Sequence, residues 1–166
     1  LREYNINKGD RIAFKGKNSL EWISWNLATH SIGATWIPMY NDQNIDYCNF
    51  IMNDSNAKIL ITNEDIKNDN YQTIKTKIEP SNDFNFVTND TNELSTLIYT
   101  SGTTGKPKGV MLTHENILSN IDAIHYMYAK YGTDKKSFSI LPWAHIYGMT
   151  CESVSYTHLR AHETVV

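Results

Sequence analysis

Residues 11–39 read RIAFKGKNSLEWISWNLATHSIGATWIPM, and the order of signals in them decides the fold. Lys8-Gly9-Asp10 is a turn leading into Arg11-Ile12-Ala13-Phe14, a short strand. Asn18 stands three residues before Glu21, the spacing of a capping box, which predicts a helix starting there. Leu20, Ile23, Leu27 and Ala28 recur on one face at the 3.6-residue period, and Gly33 lies just past the end. Thr35 to Met39 is a second strand. Further out, Ile45 to Asn53 reads as another amphipathic helix and Ala57 to Thr62 as a strand with a nearly continuous apolar core. Strands alternating with helices imply parallel pairing in an α/β chain.

From Asn63 to Asn92 the periodicity fades, leaving a weak helix followed by a surface loop, or an insertion, as open readings. Asparagine supplies 18 of 166 residues, 12 of them between Asn41 and Asn92, a bias expected of loops that tolerate it. Order returns with a strand from Ser95 to Tyr99, a loop from Ser101 to Lys108 and a strand from Gly109 to Leu112. Thr113 can cap a helix running to about Lys130, with Ile117, Ile121, Ile124 and Tyr128 on its buried face and Gly132 ending it. A strand from Ser137 to Leu141 follows, then a turn and helix from Pro142 to Glu152.

Bulk properties exclude several classes. A net charge of −3 argues against a nucleic-acid partner held by bulk electrostatics. No apolar run approaches the ~20 residues that span a bilayer. Two cysteines, Cys48 and Cys151, are too few for a disulfide framework and fit a reducing, cytoplasmic compartment. The chain opens at Leu1 on the approach to a strand, so any targeting segment is expected upstream.

The chemistry concentrates in Tyr99-Thr100-Ser101-Gly102-Thr103-Thr104-Gly105-Lys106-Pro107-Lys108-Gly109. Its glycines allow tight turning and close approach of backbone N–H groups to a ligand, and successive N–H groups make a partly positive concavity suited to phosphate oxygens. Thr100, Ser101, Thr103 and Thr104 add hydroxyls, Lys106 and Lys108 add charge, and no acid intervenes. A Walker A loop needs four residues between its first glycine and the Gly-Lys pair, then Ser or Thr. Here two residues separate Gly102 from Gly105-Lys106 and Pro107 takes the hydroxyl position, so that motif fails on spacing.

The string Tyr99 to Gly109, continued by Val110-Met111-Leu112-Thr113-His114-Glu115-Asn116, resembles the AMP-binding signature of the adenylate-forming superfamily. Lys8-Gly9-Asp10-Arg11, Asn18-Ser19, Glu21-Trp22, Ser31-Ile32-Gly33-Ala34 and Pro38-Met39-Tyr40 resemble its N-terminal region in order and spacing. Leu141-Pro142-Trp143-Ala144-His145-Ile146-Tyr147-Gly148-Met149 resembles the segment that borders the acyl pocket, in a form closer to fatty acyl-CoA synthetases than to amino-acid adenylation domains. Aryl-adenylating enzymes, amino-acid-adenylating enzymes and a non-catalytic nucleotide-binding remnant are the alternatives.

The resemblance implies an N-terminal portion of the adenylate-forming fold, with layered parallel sheets and helices, over residues 1–152. It implies ATP, Mg²⁺ and coenzyme A as cofactors and a small-molecule carboxylic acid as substrate. Thr100, Ser101, Gly102, Thr103, Thr104, Gly105 and Lys106 would hold the triphosphate. Thr100, Lys106 and His145 would serve catalysis, while His145, Tyr147 and Gly148 would line the acyl pocket. The family's downstream motifs are not in these residues, so the 166-residue chain is expected to be a fragment that does not complete the reaction.

Residues 153–166 fall outside the family pattern and read as a non-native tail. His158 and His162 in it, at i and i+4 with Glu163 adjacent, approach zinc-ligand spacing, but without a third ligand no metal site is expected. Two structural expectations follow: the loop from Ser101 to Lys108 should be an exposed connection between strands, and the strands at Ser95 to Tyr99 and Ser137 to Leu141 should present unpaired edges.

Overall fold

A computed structural model describes residues 1–66, 68, 70–78, 86–101, 107–128 and 139–154. After a 3-10 turn at Arg2–Tyr4, the elements run β1 (Arg11–Lys15), α1 (Leu20–Ser31), β2 (Thr35–Met39), α2 (Ile45–Ser55), β3 (Ile59–Thr62), β4 (Gln72–Ile74), β5 (Leu94–Thr100), β6 (Lys108–Thr113) and α3 (His114–Tyr128). A π-helical segment, Gly148–Val154, closes the described residues.

The strands make one six-stranded sheet in the order β4-β3-β1-β2-β5-β6. All neighbours are parallel except β5 and β6, which are antiparallel. The parallel α/β expectation therefore holds, with a single antiparallel strand on one edge. β1, β2 and β3 are buried almost throughout because helices cover both faces. On one face Trp22 and Trp25 of α1 and Ile117 and Ile121 of α3 join Ile12, Phe14, Trp36 and Ile59. On the other, Cys48, Ile51 and Met52 of α2 meet Ala13, Ile37, Met39 and Leu60. The crossover from β1 through α1 leads to β2 on one side, and the crossover from β2 through α2 returns past β1 to β3 on the other. The loops after β1 and β2 therefore part at the carboxyl edge of the sheet, where open α/β folds bind ligands.

Pro38 sets a boundary within this sheet. Thr35 N–H donates to Asp10 O at 2.7 Å on the β1 side. Alternation turns the next donors, at Trp36 and position 38, toward β5, and proline has no N–H to give. The β2–β5 ladder registers only Trp36 with Thr96, whereas β1 and β2 register over five pairs.

Several expectations are corrected. The cap of α1 is Ser19, whose side chain accepts from Trp22 N, and not Asn18. Its buried face is Trp22, Trp25, Asn26 and Thr29, while Leu20 and Leu27 are exposed. The bulky indoles win the sheet-facing positions because they bury more apolar surface than the leucines. Gly33, at φ +72°, ends the helix in the left-handed region. Within the stretch left open between Asn63 and Asn92, β4 pairs with β3.

β5 is not an edge: β2 and β6 flank it, and Ile98 is buried. The edge strand on that side is β6. The expected strand from Ser137 falls partly outside the described residues. Ser139 and Ile140 have no regular structure, and Leu141 sits in a bend. Thr113 does cap α3, in a reciprocal pair: Thr113 N donates to Asn116 Oδ1 at 3.0 Å and Asn116 N to Thr113 Oγ1 at 3.2 Å. Ile117 and Ile121 are buried beneath it, as expected, whereas the Tyr128 side chain and Gly132 lie outside the described residues. No described helix is long and apolar enough to cross a membrane.

Candidate functional site: a hairpin loop and a clamped turn

β5 and β6 pair from Leu94↔Thr113 to Thr100↔Lys108, with one irregularity between Leu94 and Thr96. The seven residues between Thr100 and Lys108 thus connect two registered strands at the carboxyl end of β5. Thr100, Ser101 and Lys108 are exposed and Pro107 is half-buried. Gly102, Thr103, Thr104, Gly105 and Lys106 lie outside the described residues.

The hairpin is anchored from beneath. Tyr99 is buried and donates its hydroxyl to Asp54 Oδ2 of α2 at 2.7 Å. Burial first, and the bond to Asp54 second, raise the phenol above its ordinary pKa, so it remains a neutral donor. Opposite it stands Gly109, where an added Cβ would come 3.0 Å from the ring carbon Cζ of Tyr99. A glycine there lets the tyrosine ring lie over β6.

The second part of the site is the turn that precedes the π-helical segment. His145 N–H donates to Pro142 O at 3.0 Å and Met149 N–H to His145 O at 2.9 Å. Tyr147 N–H donates to His145 Nδ1 at 3.2 Å, which places the proton of the neutral imidazole on Nε2. His145 and Tyr147 are exposed. Gly148 is buried, and a Cβ on it would lie 2.5 Å from Pro142 O, so the tight return of the chain requires glycine. Nearby, burial raises the pKa of the Cys151 thiol, and a hydrogen bond with Tyr147 opposes that shift.

Two devices hold this turn against the sheet. Trp143 is buried with its ring edge-on to Trp22 at 5.5 Å, and its indole N–H donates to Ser139 Oγ at 3.1 Å. Ser139 Oγ in turn donates to Glu152 Oε2 at 2.5 Å. Asn18, in the β1–α1 loop, uses both ends of its amide: Nδ2 donates to Leu141 O at 2.8 Å and Oδ1 accepts from Trp143 N at 2.9 Å. Sequence reasoning missed this role. The available signal was that Asn18 and Ser19 are adjacent cap-type residues and a helix uses one, leaving the other amide for different work.

Through Asn18 the turn reaches the carboxyl end of β1, the same edge of the parallel sheet at which Thr100 ends β5. The hydroxyls and lysines of the hairpin loop, unmixed with acids, suit phosphate oxygens. Among the described residues there is no group of three or more His, Cys, Asp or Glu that could hold a metal ion.

A family model described as AMP-binding enzyme matches residues 1–162. A long-chain-fatty-acid–CoA ligase of Mus musculus is 27% identical over 152 residues, covering 70% of this chain and 23% of its own length. Gramicidin S synthase 2 of Brevibacillus brevis is 32% identical over 130 residues, 72% of this chain and 3% of its own. The crystal structure of ATP-bound MatB from Rhodopseudomonas palustris superimposes with a TM-score of 0.79 at 23% identity, over 96% of this chain and 35% of that one, a likeness of fold. The chain spans 23–29% of the length of the CoA ligases it matches. With a sheet of this order, a Gly/Thr/Lys loop on its carboxyl edge and a family match over nearly its whole length, the chain belongs to the AMP-binding enzyme family.

Proposed function

We propose that the chain is the phosphate-loop portion of an AMP-forming acid–CoA ligase whose acid is a fatty acid. In the reaction a carboxylate attacks the α-phosphate of ATP, releasing pyrophosphate and leaving an acyl-adenylate. The thiol of coenzyme A then takes the acyl group, forming the thioester and releasing AMP. The observation that carries the reading is the hairpin: seven residues rich in Gly, Thr and Lys, hung between registered partners Thr100 and Lys108 at the carboxyl edge of a parallel sheet.

Thr100, Ser101, Thr103, Thr104 and Lys106, with the backbone N–H groups of Gly102 and Gly105, hold the triphosphate and offset the negative charge that develops on its oxygens. Thr100 and Lys106 are the catalytic members of that set. His145, with its proton on Nε2, borders the adenylate, and Tyr147 and Gly148 border the acyl group. Magnesium belongs to this chemistry as a shield for phosphate charge. Residues 1–152 form the working part, 153–166 a non-native tail.

Because the chain spans about a quarter of such ligases, its expected activity alone is nucleotide binding without turnover. Displacement of a fluorescent ATP analogue by ATP should weaken at least tenfold in Lys106→Ala and in Gly102→Leu. Exchange of labelled pyrophosphate into ATP with palmitate should stay at background. Unchanged affinity in both variants would sink the loop assignment, and palmitate-driven exchange would show that these residues complete the first step unaided.

A second reading, an amino-acid-adenylating domain, is favoured by the higher identity to gramicidin S synthase 2. Non-reactive sulfamoyl analogues of palmitoyl- and phenylalanyl-adenylate separate the two. The fatty-acid reading expects tighter binding of the palmitoyl compound.

A further inference from the structure

Asn18 lies 123 residues before Leu141 and 125 before Trp143, yet its one amide group ties both to the mouth of β1. Its two bonds are to main-chain atoms, and they bracket Pro142. The carbonyl of that proline is the acceptor for His145 N–H and the atom against which Gly148 closes. His145 then fixes Tyr147 through Nδ1 and Met149 through its carbonyl. A displacement at Leu141–Trp143 therefore passes along a chain of hydrogen bonds into the imidazole and the tyrosine. The helix cap explains none of this, since Ser19 performs that task. The fold also does not require it, since Trp143 is already buried against Trp22.

We propose that Asn18 is a positioning residue for the acyl-adenylate pocket: its amide sets the main chain of the Leu141–Trp143 segment and so the placement of His145 and Tyr147. The ligand in this statement rests on the acid–CoA ligase reading; the mechanical part does not.

The test separates these two. Residue-resolved hydrogen exchange on the full chain reads the mechanical part. In Asn18→Ala the Trp143 amide should exchange at least tenfold faster than in wild type, with the Tyr147 amide following. Ile12 and Leu60, on β1 and β3, should stay within twofold. Asn18→Asp keeps the oxygen that accepts from Trp143 N and loses the donor to Leu141 O, so its Trp143 amide should stay within threefold of wild type. A residue of merely structural weight would move all these amides together, and that outcome overturns the proposal. So does unchanged exchange at Trp143 in Asn18→Ala. If the alanine variant does not fold, the aspartate variant decides: a protected Trp143 amide supports the proposal and an unprotected one overturns it.

The ligand part is read with the sulfamoyl analogue of palmitoyl-adenylate. Asn18→Ala should bind it at least fivefold more weakly than wild type, with Asn18→Asp between. Equal affinity in wild type and Asn18→Ala overturns the positioning role. Absence of binding by wild type counts against the ligase reading alone, and exchange at Trp143 still decides whether Asn18 sets the turn.

Discussion

The β1–β2–β3 region and the β5–β6 hairpin are built on opposite terms. In the first, strands are covered on both faces and registered over four or five pairs. In the second, an antiparallel pair ends in an exposed edge strand, and Val110 and Met111 face solvent. One registered pair, Trp36 with Thr96, joins the two regions, since Pro38 withholds the next donor. The second region is not free of the core, since β5 sends Ile98 to one face and Leu97 and Tyr99 to the other. Only β6 and the loop of the candidate site stand outside it, where sequence can change at least cost to the scaffold.

The largest test of that division is Trp36→Ala. Trp36 is fully buried, with Trp22 edge-on at 5.2 Å and Phe14 at 5.5 Å. Its loss should cost about 3–5 kcal/mol in urea denaturation. If exposed Leu27→Ala costs as much, the division fails.

The seam itself is pH-sensitive. Burial depresses the pKa of His30 to about 4; the bond to Ser95 O opposes this and neighbouring His114 adds to it. His114, lowered chiefly by burial, acts in the same direction. Above about pH 6.5, His30 is neutral in folded and unfolded chains alike and its contribution to stability is full. As pH falls from there toward 4, only the unfolded chain takes up the proton, and stability drops by about 3 kcal/mol for His30. Urea midpoints at pH 7 and 4.5 should show this, and His30→Gln should flatten the difference. An equal slope in that variant would show that the seam does not titrate.

Gly148→Ala should cost about 1–3 kcal/mol, because its Cβ meets a backbone oxygen that cannot swing aside. Amide exchange should locate the damage in the turn, with β1 and β3 unaffected; a loss shared by β1 would merge the two regions. Smallest is Met111→Lys, on the exposed edge: a change within about 0.5 kcal/mol in the same denaturation assay. A larger loss would mean that β6 contributes to the core.

The scaffold is legible where local signals act alone. The three parallel strands, Gly33 as the end of α1 and Thr113 as a cap all follow from short windows. The buried face of α1 does not, because its periodicity fits leucines and indoles alike, and only the sheet decides which set it covers. β4 is invisible because three residues carry too little pattern, and its partner β3 supplies the pairing.

The asparagines that composition alone assigns to tolerant loops are the clearest loss. Asn44 caps α2 by accepting from Tyr47 N at 2.8 Å. Asn56, at φ +50°, ends that helix in the left-handed region. Asn63 Oδ1 accepts from Thr76 Oγ1 at 2.8 Å. At the site, the loop chemistry can be read from residue types, whereas the Asn18 clamp spans more than a hundred residues and no window contains it.

All four tryptophans of the chain, Trp22, Trp25, Trp36 and Trp143, are buried, and three of them pack edge to face in one series. Optically they divide as the molecule does, three on the scaffold and one on the turn that bears His145. A change in near-ultraviolet dichroism without loss of secondary structure therefore reports a disturbance of this series, and its loss in Trp143→Phe assigns it to the turn. The candidate site carries its own chromophore, and movement of the turn can be followed without a label.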